Sequence, residues 1–173
     1  GRAFRRVNAA ITMESGYDGE RHWVRYIGGE FRVLGLGNEV EAQITGAMLS
    51  GAWATAASPL TLALGEGDGG SVVIAFTIAG TETSGRILID PSTWRPTRWE
   101  FTSGASTQTL ELEGAASLDG FTTARVVTQS SSEGTANRYG VESLRAATAA
   151  EAAWLAPVTA SPSDTTWDPA GSG

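Results

Sequence analysis

Side chains able to perform nucleophilic or acid–base chemistry are scarce in this chain. It contains one histidine, His22, and no cysteine. Every one of the 12 basic residues is an arginine, so a lysine Schiff base is excluded. A single histidine excludes a two-histidine metal site and disfavours a Ser-His-Asp arrangement. Because His22 stands between Arg21 and Trp23 in strand-like sequence, we interpret it as a surface or packing residue.

The aspartates have an explanation that involves no catalysis. Aspartate is favoured in turns because its side chain accepts hydrogen bonds from nearby backbone N–H groups. Spacing alone does not exclude a glycosidase or protease pair, since partners in space can be distant in sequence, but nothing here favours one. We therefore predict no catalytic residues and a chain that is not an enzyme. The aspartates next to Gly or Pro are Asp18, Asp68, Asp90, Asp119 and Asp168.

The segment Gly65–Gly70 (GEGDGG) is the one glycine-rich candidate for binding an ion. A phosphate-binding loop would carry a lysine and open a helix, and the two carboxylates here would repel an anion. The Asp-x-Asp spacing of a calcium loop is also missing. We predict an exposed hairpin loop, with no metal and no cofactor.

Charge and hydropathy exclude further partners. The net charge of −7 and the pI near 4.7 oppose binding to nucleic acid or to anionic membranes, since both require clustered basic residues. No stretch approaches the roughly 20 apolar residues of a membrane span, and the N-terminus lacks the apolar core of a signal peptide. No nucleic acid partner and no transmembrane segment are expected.

The elements that would position any site are mostly strands. Alternating or β-rich runs separated by Gly, Pro, Asp and Ser predict an antiparallel meander, with a turn at Glu14–Gly19 and a hairpin loop at Gly28-Gly29. The predicted strands are Phe4–Met13, Glu20–Ile27, Glu30–Leu34, Leu60–Leu64, Ser71–Ala79, Gly85–Asp90, Arg95–Thr102, Thr107–Glu113, Phe121–Gln129 and Asn137–Leu144.

One segment, Asn38–Leu49, has the pattern of a helix. Asn38 is a suitable N-cap, apolar residues recur at helical spacing, and Gly51 is a plausible stop. Some helical tendency also exists at Thr148–Leu155. A sheet with large apolar side chains on one face needs a cover, and one helix covers it only in part. The sequence thus predicts a partly open apolar groove.

Tryptophans and other large apolar residues are the candidates for the lining of that groove. Trp23, Trp53, Trp94 and Trp99 lie in or beside strands, where aromatic side chains usually belong to the core. The alternative is that several line a ligand cavity. The predicted ligand-binding residues are Trp23, Phe76, Ile78, Trp99, Phe101, Leu110 and Leu112.

Residues 1–145 are predicted to form one β domain, and residues 146–173 an Ala/Pro/Ser-rich linker or tail. The chain does not begin with Met, and we expect it to be a fragment or a processed form.

Two segments resemble a known family. The run GYDGERHWVRYIGGEFR, Gly16–Arg32, is similar to a hairpin of the periplasmic outer-membrane lipoprotein carriers and lipoprotein-sorting proteins. The run GRILIDPSTWRPTRWEF, Gly85–Phe101, resembles their "Asp-x-x-Thr-x-x-Pro" hairpin, in which Asp90 and Thr93 bond the turn. The step Asp119-Gly120-Phe121 also follows the family's last strands.

A closer variant places such a domain ahead of a retropepsin-like aspartic protease domain in secreted or periplasmic bacterial proteins. Ser50-Gly51-Ala52-Trp53 and the linker Ser163–Pro169 resemble the stretches before that domain. The catalytic Asp-Thr-Gly or Asp-Ser-Gly signature is absent here, so a protease domain of the parent protein would lie beyond Gly173. The family's N-terminal helix and first strands would precede Gly1.

The resemblance implies a mainly β (α+β) fold: a curved, incomplete antiparallel β-barrel with one or few helices on its concave face. In the carriers that face holds the acyl chains of lipoproteins, which implies a periplasmic or extracytoplasmic location. The expected function is non-catalytic binding of a lipid, acyl chain or lipoprotein. The alternative is a structural or regulatory N-terminal domain of an aspartic protease, and an independent hydrolase is the least supported reading.

Overall fold

The computed structural model describes residues 4–8, 13–17, 22–26, 31–33, 36–56, 58–103, 105–118, 121–134 and 136–142. The predicted Gly28-Gly29 turn, the Thr148–Leu155 helix and the residue 146–173 linker lie outside these ranges. The boundary between the β domain and the tail therefore stays a prediction.

The N-terminal part forms a four-stranded antiparallel sheet in the order β1-β2-β3-β4. The single predicted strand Phe4–Met13 is wrong: two strands lie here, and residues 14–17 of the predicted turn belong to the second. Ser15 and Tyr17 are buried, and this burial favours a paired strand over a surface turn. The strands are β1 (Phe4–Asn8), β2 (Met13–Tyr17), β3 (His22–Arg25) and β4 (Phe31–Val33).

Helix α1 spans Leu36–Ser50 and is followed by a 3₁₀ turn, Ala52–Ala54. The predicted helix is confirmed, but Asn38 is not its N-cap because the helix begins two residues earlier. Gly51 ends it in the left-handed region at φ 69°, a conformation that glycine adopts without strain. The described helices include none long and apolar enough to cross a membrane.

The larger sheet has seven antiparallel strands and is not closed into a barrel, because β5 lies at one edge and β13 at the other. Together with α1 this confirms the predicted mainly β, half-barrel fold. In sheet order the strands are β13 (Ala136–Gly140), β12 (Val126–Ser131), β9 (Ser106–Glu113), β8 (Arg95–Ser103), β7 (Ser84–Asp90), β6 (Val72–Ile78) and β5 (Leu60–Leu64).

A small hairpin, β10 (Ala116–Leu118) and β11 (Phe121–Thr123), interrupts the meander between β9 and β12. The sequence did not predict β10, and the predicted strand Phe121–Gln129 is in fact β11 and β12, separated by Ala124 and Arg125. The Arg125 N–H donates to the Glu113 carbonyl at 3.0 Å, which redirects the chain into the large sheet. The last strand ends at Gly140, earlier than predicted.

One face of the large sheet, here called the inner face, carries the core. Register places its residues opposite one another on successive strands, so they form continuous rows across the sheet. The central row runs from edge strand β5 to β12 as Leu64, Ile74, Ile87, Trp99, Leu110 and Gln129. The row beside it contains Leu62, Phe76, Gly85, Phe101 and Gln108.

The opposite face of the sheet is polar and charged. Arg86 lies between Glu100, at 2.5 Å, and Asp68, at 3.0 Å, and Arg98 pairs with Glu100 at 2.8 Å. The Asp68 contact ties the exposed glycine-rich loop to β7. These carboxylates raise the pKa of Arg86, with the Glu100 hydrogen bond as the largest cause. Such half-exposed pairs add little stability individually.

Helix α1 contacts both sheets, through β2 and β3 on one side and β8 on the other. Its apolar residues Ile44 and Met48 join the core of the inner face. A polar contact lies nearer its N-terminal end, where the Gln129 amide donates to Glu41 Oε1 at 2.6 Å. The helix is thus attached by a hydrogen bond towards one end and by apolar packing at the other.

Candidate functional site

The structure brings most of the predicted ligand-binding residues together, but beneath α1. Phe76, Ile78, Trp99, Phe101 and Leu110 all belong to the buried core of the inner face. Their proximity agrees with a shared apolar surface, and α1 covers that surface at its centre. Whether a ligand reaches these residues stays a prediction.

Of the other two predicted residues, one lies apart from that group. Trp23 is buried in β3, outside the core of the large sheet, and the Arg25 guanidinium lies 5.9 Å from the centre of its ring. Leu112 packs against the core and borders a cleft. Six of the seven predicted residues therefore lie in or against one core, and Trp23 does not.

An aromatic cluster joins the 3₁₀ turn to the inner face. Trp53 meets Trp99 edge-on, with ring centroids 5.8 Å apart and planes at 89°. Phe76 lies 5.7 Å from Trp99 on the other side, at a tilt of 52°. Edge-to-face pairs of this kind favour a defined orientation of the rings.

The inner face continues past α1 on to edge strand β5. Leu60 is buried, but Leu62 is 38% exposed and Leu64 is 83% exposed. Their sheet neighbours Phe76 and Ile74 are buried and half-buried respectively. These side chains form a surface that we call the β5 strip: Leu62, Leu64 and Ile74. Sequence reasoning missed it, although the alternation of leucines at 60, 62 and 64 was a usable signal.

A cleft lies beside the C-terminal end of α1, at the other margin of the part of the inner face that α1 covers. Its volume is about 90 Å³, and its walls include Leu49, Trp53, Pro96 and Leu112. Arg95 is the one charged residue among its lining residues. Arg95 is exposed, and within the described ranges no carboxylate forms an ion pair with it. The cleft thus has a mainly apolar lining that includes one cation.

One buried polar atom at the centre of this region has no hydrogen-bond partner among the residues that the structure describes. Trp99 is 0% exposed, and no described residue accepts a hydrogen bond from its Nε1. Most buried donors in folded proteins are paired. No residue pattern indicates this feature, because it depends on what surrounds the indole.

The turn between β7 and β8 is built by Asp90. Its Oδ1 accepts from the Ser92 N–H at 2.8 Å and from the Ser92 hydroxyl at 2.7 Å, and its Oδ2 accepts from the Thr93 hydroxyl at 2.8 Å. These bonds, first those from Ser92, lower the pKa of Asp90 below its usual 3.8. The predicted role of Asp90 in bonding the backbone of the turn is confirmed, whereas the Thr93 hydroxyl bonds the Asp90 carboxylate instead of the backbone.

The same turn exposes a tryptophan that the sequence favoured as core. Trp94 is 71% exposed and has a positive φ of 56°, in the left-handed region that non-glycine residues seldom adopt. The expectation that the strand tryptophans are buried is therefore wrong at Trp94, correct at Trp23 and Trp99, and intermediate at Trp53.

Within the described ranges, no group of three or more His, Asp or Glu side chains is arranged to hold a metal ion. Comparisons of the chain with protein-family models, with curated proteins and with solved structures found no match. The resemblance to the lipoprotein carriers therefore remains a prediction from the sequence.

Proposed function

We propose that this domain binds an apolar ligand, such as a lipid, an acyl chain or a lipoprotein, along its inner face without catalysing a reaction. The observation that carries the proposal is the continuation of the buried apolar face on to the exposed Leu62 and Leu64 of β5. Exposed apolar surface that is continuous with a core is typical of a binding site. An extracytoplasmic location, as in the carriers, is part of the same proposal.

The size of the cleft beside the end of α1 indicates how such a ligand would be accommodated. Pockets for small molecules usually enclose about 300–1,000 Å³, whereas the cleft measures about 90 Å³. A ligand would therefore rest first on the β5 strip and gain further burial as α1 or the 3₁₀ turn moves away from the sheet. Complete burial of one leucine side chain contributes about 1.5–3 kcal/mol.

A titration with a fluorescent fatty acid, displaced by the unlabelled acid, tests the proposal. Wild-type protein is expected to give a saturable signal. Leu64→Asn should weaken binding about tenfold, because it removes apolar contact worth about 1.4 kcal/mol. Thr61→Asn is the matched control: Thr61 is also exposed on β5 but lies on the other face, so its affinity should match the wild type.

Absence of saturable binding by protein that unfolds cooperatively would refute ligand binding. The second candidate would then stand: a structural or regulatory domain of an aspartic protease. It is favoured by the complete burial of Phe76, Trp99 and Phe101, as expected if the inner face is only core. Its own test is the reading frame beyond Gly173, which should encode a domain with an Asp-Thr-Gly or Asp-Ser-Gly motif.

A further inference from the structure

The indole N–H of Trp99 is the starting point, because it is buried beneath α1 and no described residue accepts its hydrogen bond. A buried donor left without an acceptor destabilises the folded state. Trp99 lies between Ile87 and Leu110 in the central row, and a phenylalanine would supply an aromatic ring there without that cost. A ligand that brings an acceptor to Nε1 would remove the cost.

Trp53 is in contact with Trp99 and also lines the cleft. Trp53 is half-buried and belongs to a three-residue 3₁₀ turn. Gly51, immediately before that turn, has a positive φ, and its N–H and carbonyl make only long hydrogen bonds, both of 3.3 Å, to Met48 and Ala54. Rotation of Trp53 away from the sheet would join the cleft to the Trp99 indole.

The lining of the cleft favours a ligand with a polar or anionic group. Arg95 is part of that lining, in a chain whose net charge is −7. Thr122 and Thr123 add hydroxyl-bearing side chains to it. A cation, apolar walls and an N–H donor on the neighbouring Trp99 match a ligand with a polar head, a carbonyl oxygen and a hydrocarbon chain.

We propose that Trp99 Nε1 donates a hydrogen bond to a carbonyl oxygen of the ligand, with Trp53 as the gate and Arg95 beside the head group. This inference rests on the proposed function and adds a requirement to it: the apolar ligand carries a hydrogen-bond acceptor close to its chain. Trp99 would then determine specificity and Trp53 would control access.

Two single-chain lysophospholipids that differ by one carbonyl test the requirement. Both have a 12-carbon chain and a phosphoglycerol head, and the chain is attached by an ester linkage in one and by an ether linkage in the other. Each is used below its critical micelle concentration as a competitor of the fluorescent fatty acid. Wild-type protein should prefer the ester about fivefold, since a neutral hydrogen bond contributes about 1 kcal/mol. Trp99→Phe should bind both with equal affinity.

Trp94→Phe is the matched control, because Trp94 is exposed on the β7–β8 turn and its loss should leave the fivefold preference intact. Equal affinity of wild-type protein for the two lipids would overturn the inference and leave apolar binding in place. Failure of both lipids and of the fatty acid to bind would remove the proposed function itself. If Trp99→Phe fails to fold, the ratio of the wild-type affinities for the ester and ether lipids still tests the inference. In addition, Trp53→Ala should speed association of the ester lipid.

Discussion

At the scale of single residues, Gly85 shows how closely the inner face is packed. It occupies the position in its row between Phe76 and Phe101. A Cβ added there would lie 2.5 Å from Phe76 Cζ and 2.8 Å from Phe101 Cβ, and it would also meet the Glu100 carbonyl oxygen. The absence of a side chain at Gly85 is what lets both aromatic rings lie on the same row.

We predict that Gly85→Ala lowers the free energy of unfolding by about 3 kcal/mol, because the added methyl group meets backbone as well as side chains. Urea denaturation measures the change. Gly140→Ala is the control, since nothing lies within 4 Å of its ideal Cβ; it should change stability by less than about 1 kcal/mol. Equal effects at the two glycines would contradict the packing described here.

Asp90 provides a residue-level prediction about pH. Its pKa is lowered in the folded state by hydrogen bonds from Ser92 and Thr93, so the unfolded chain binds the proton more tightly. The resulting stabilisation is complete above the ordinary value of 3.8 and is lost as pH falls through the lower folded value. The stability difference between wild type and Asp90→Asn should therefore shrink below about pH 4.

Measurement of urea unfolding from pH 3 to pH 6 would follow this difference. Ser92→Ala removes the largest cause of the shift and should reduce the pH dependence while leaving the carboxylate in place. A difference between wild type and Asp90→Asn that stays constant down to pH 3 would be inconsistent with the hydrogen-bonded turn.

Residue types alone are enough to predict the structural roles of some of these residues but not of others. Asp90 was predictable as a turn residue because Pro91 follows it and aspartate suits that position. Trp94 and Trp99 were not distinguishable, because the same side chain five residues apart is exposed in a turn in one case and fully buried in the other. The unpaired Nε1 of Trp99 depends on tertiary neighbours and had no signal in the sequence.

At the scale of elements, the two ends of α1 are held by different interactions. The Glu41–Gln129 hydrogen bond attaches the helix to β12, whereas Met48 and Leu49 border the cleft. The C-terminal end of α1, next to Trp53, makes no such hydrogen bond to any strand residue that the structure describes. If α1 moves to admit a ligand, we expect that end to leave the sheet first.

We predict that Gln129→Leu lowers the free energy of unfolding by about 1–3 kcal/mol, because the half-buried Glu41 carboxylate loses its donor. The same variant should bind the fluorescent fatty acid more tightly, since less free energy is needed to open the helix. Hydrogen exchange of α1 amides should accelerate. Glu41→Gln retains an acceptor for Gln129 and should resemble the wild type. If Gln129→Leu instead bound the fatty acid more weakly than the wild type, that result would argue against opening of α1.

Long periodic elements were the predictable ones. Strands β5 to β9 and helix α1 were found because their apolar spacing is regular over five or more residues. The short strand Ala116–Leu118 was missed because three residues show no period, and the break at Ala124 and Arg125 was missed because the flanking residues are equally β-prone. The exposed part of the inner face on β5 was not predicted, because the extent to which α1 covers that face depends on tertiary packing.

At the scale of the whole molecule, ligand binding and stability must be linked. A ligand that binds only the folded state raises the free energy of unfolding, by about 2.7 kcal/mol at a concentration 100 times its Kd. Urea denaturation with and without the fatty acid should show this increase in wild-type protein and a smaller one in Leu64→Asn. Superimposable curves at saturating ligand would show that the inner face of the folded protein is not the site.

The order of strands in the larger sheet has a consequence for how the chain folds. Each strand pairs with its neighbour along the chain, except that β9 and β12 are joined across one hairpin. Local pairing closes only short loops, which lowers the entropic cost of assembly and favours rapid folding for a β protein. Trp99 lies on the central strand β8, so truncation of β13 would trim an edge while leaving the middle of the inner face to form from one continuous stretch of chain.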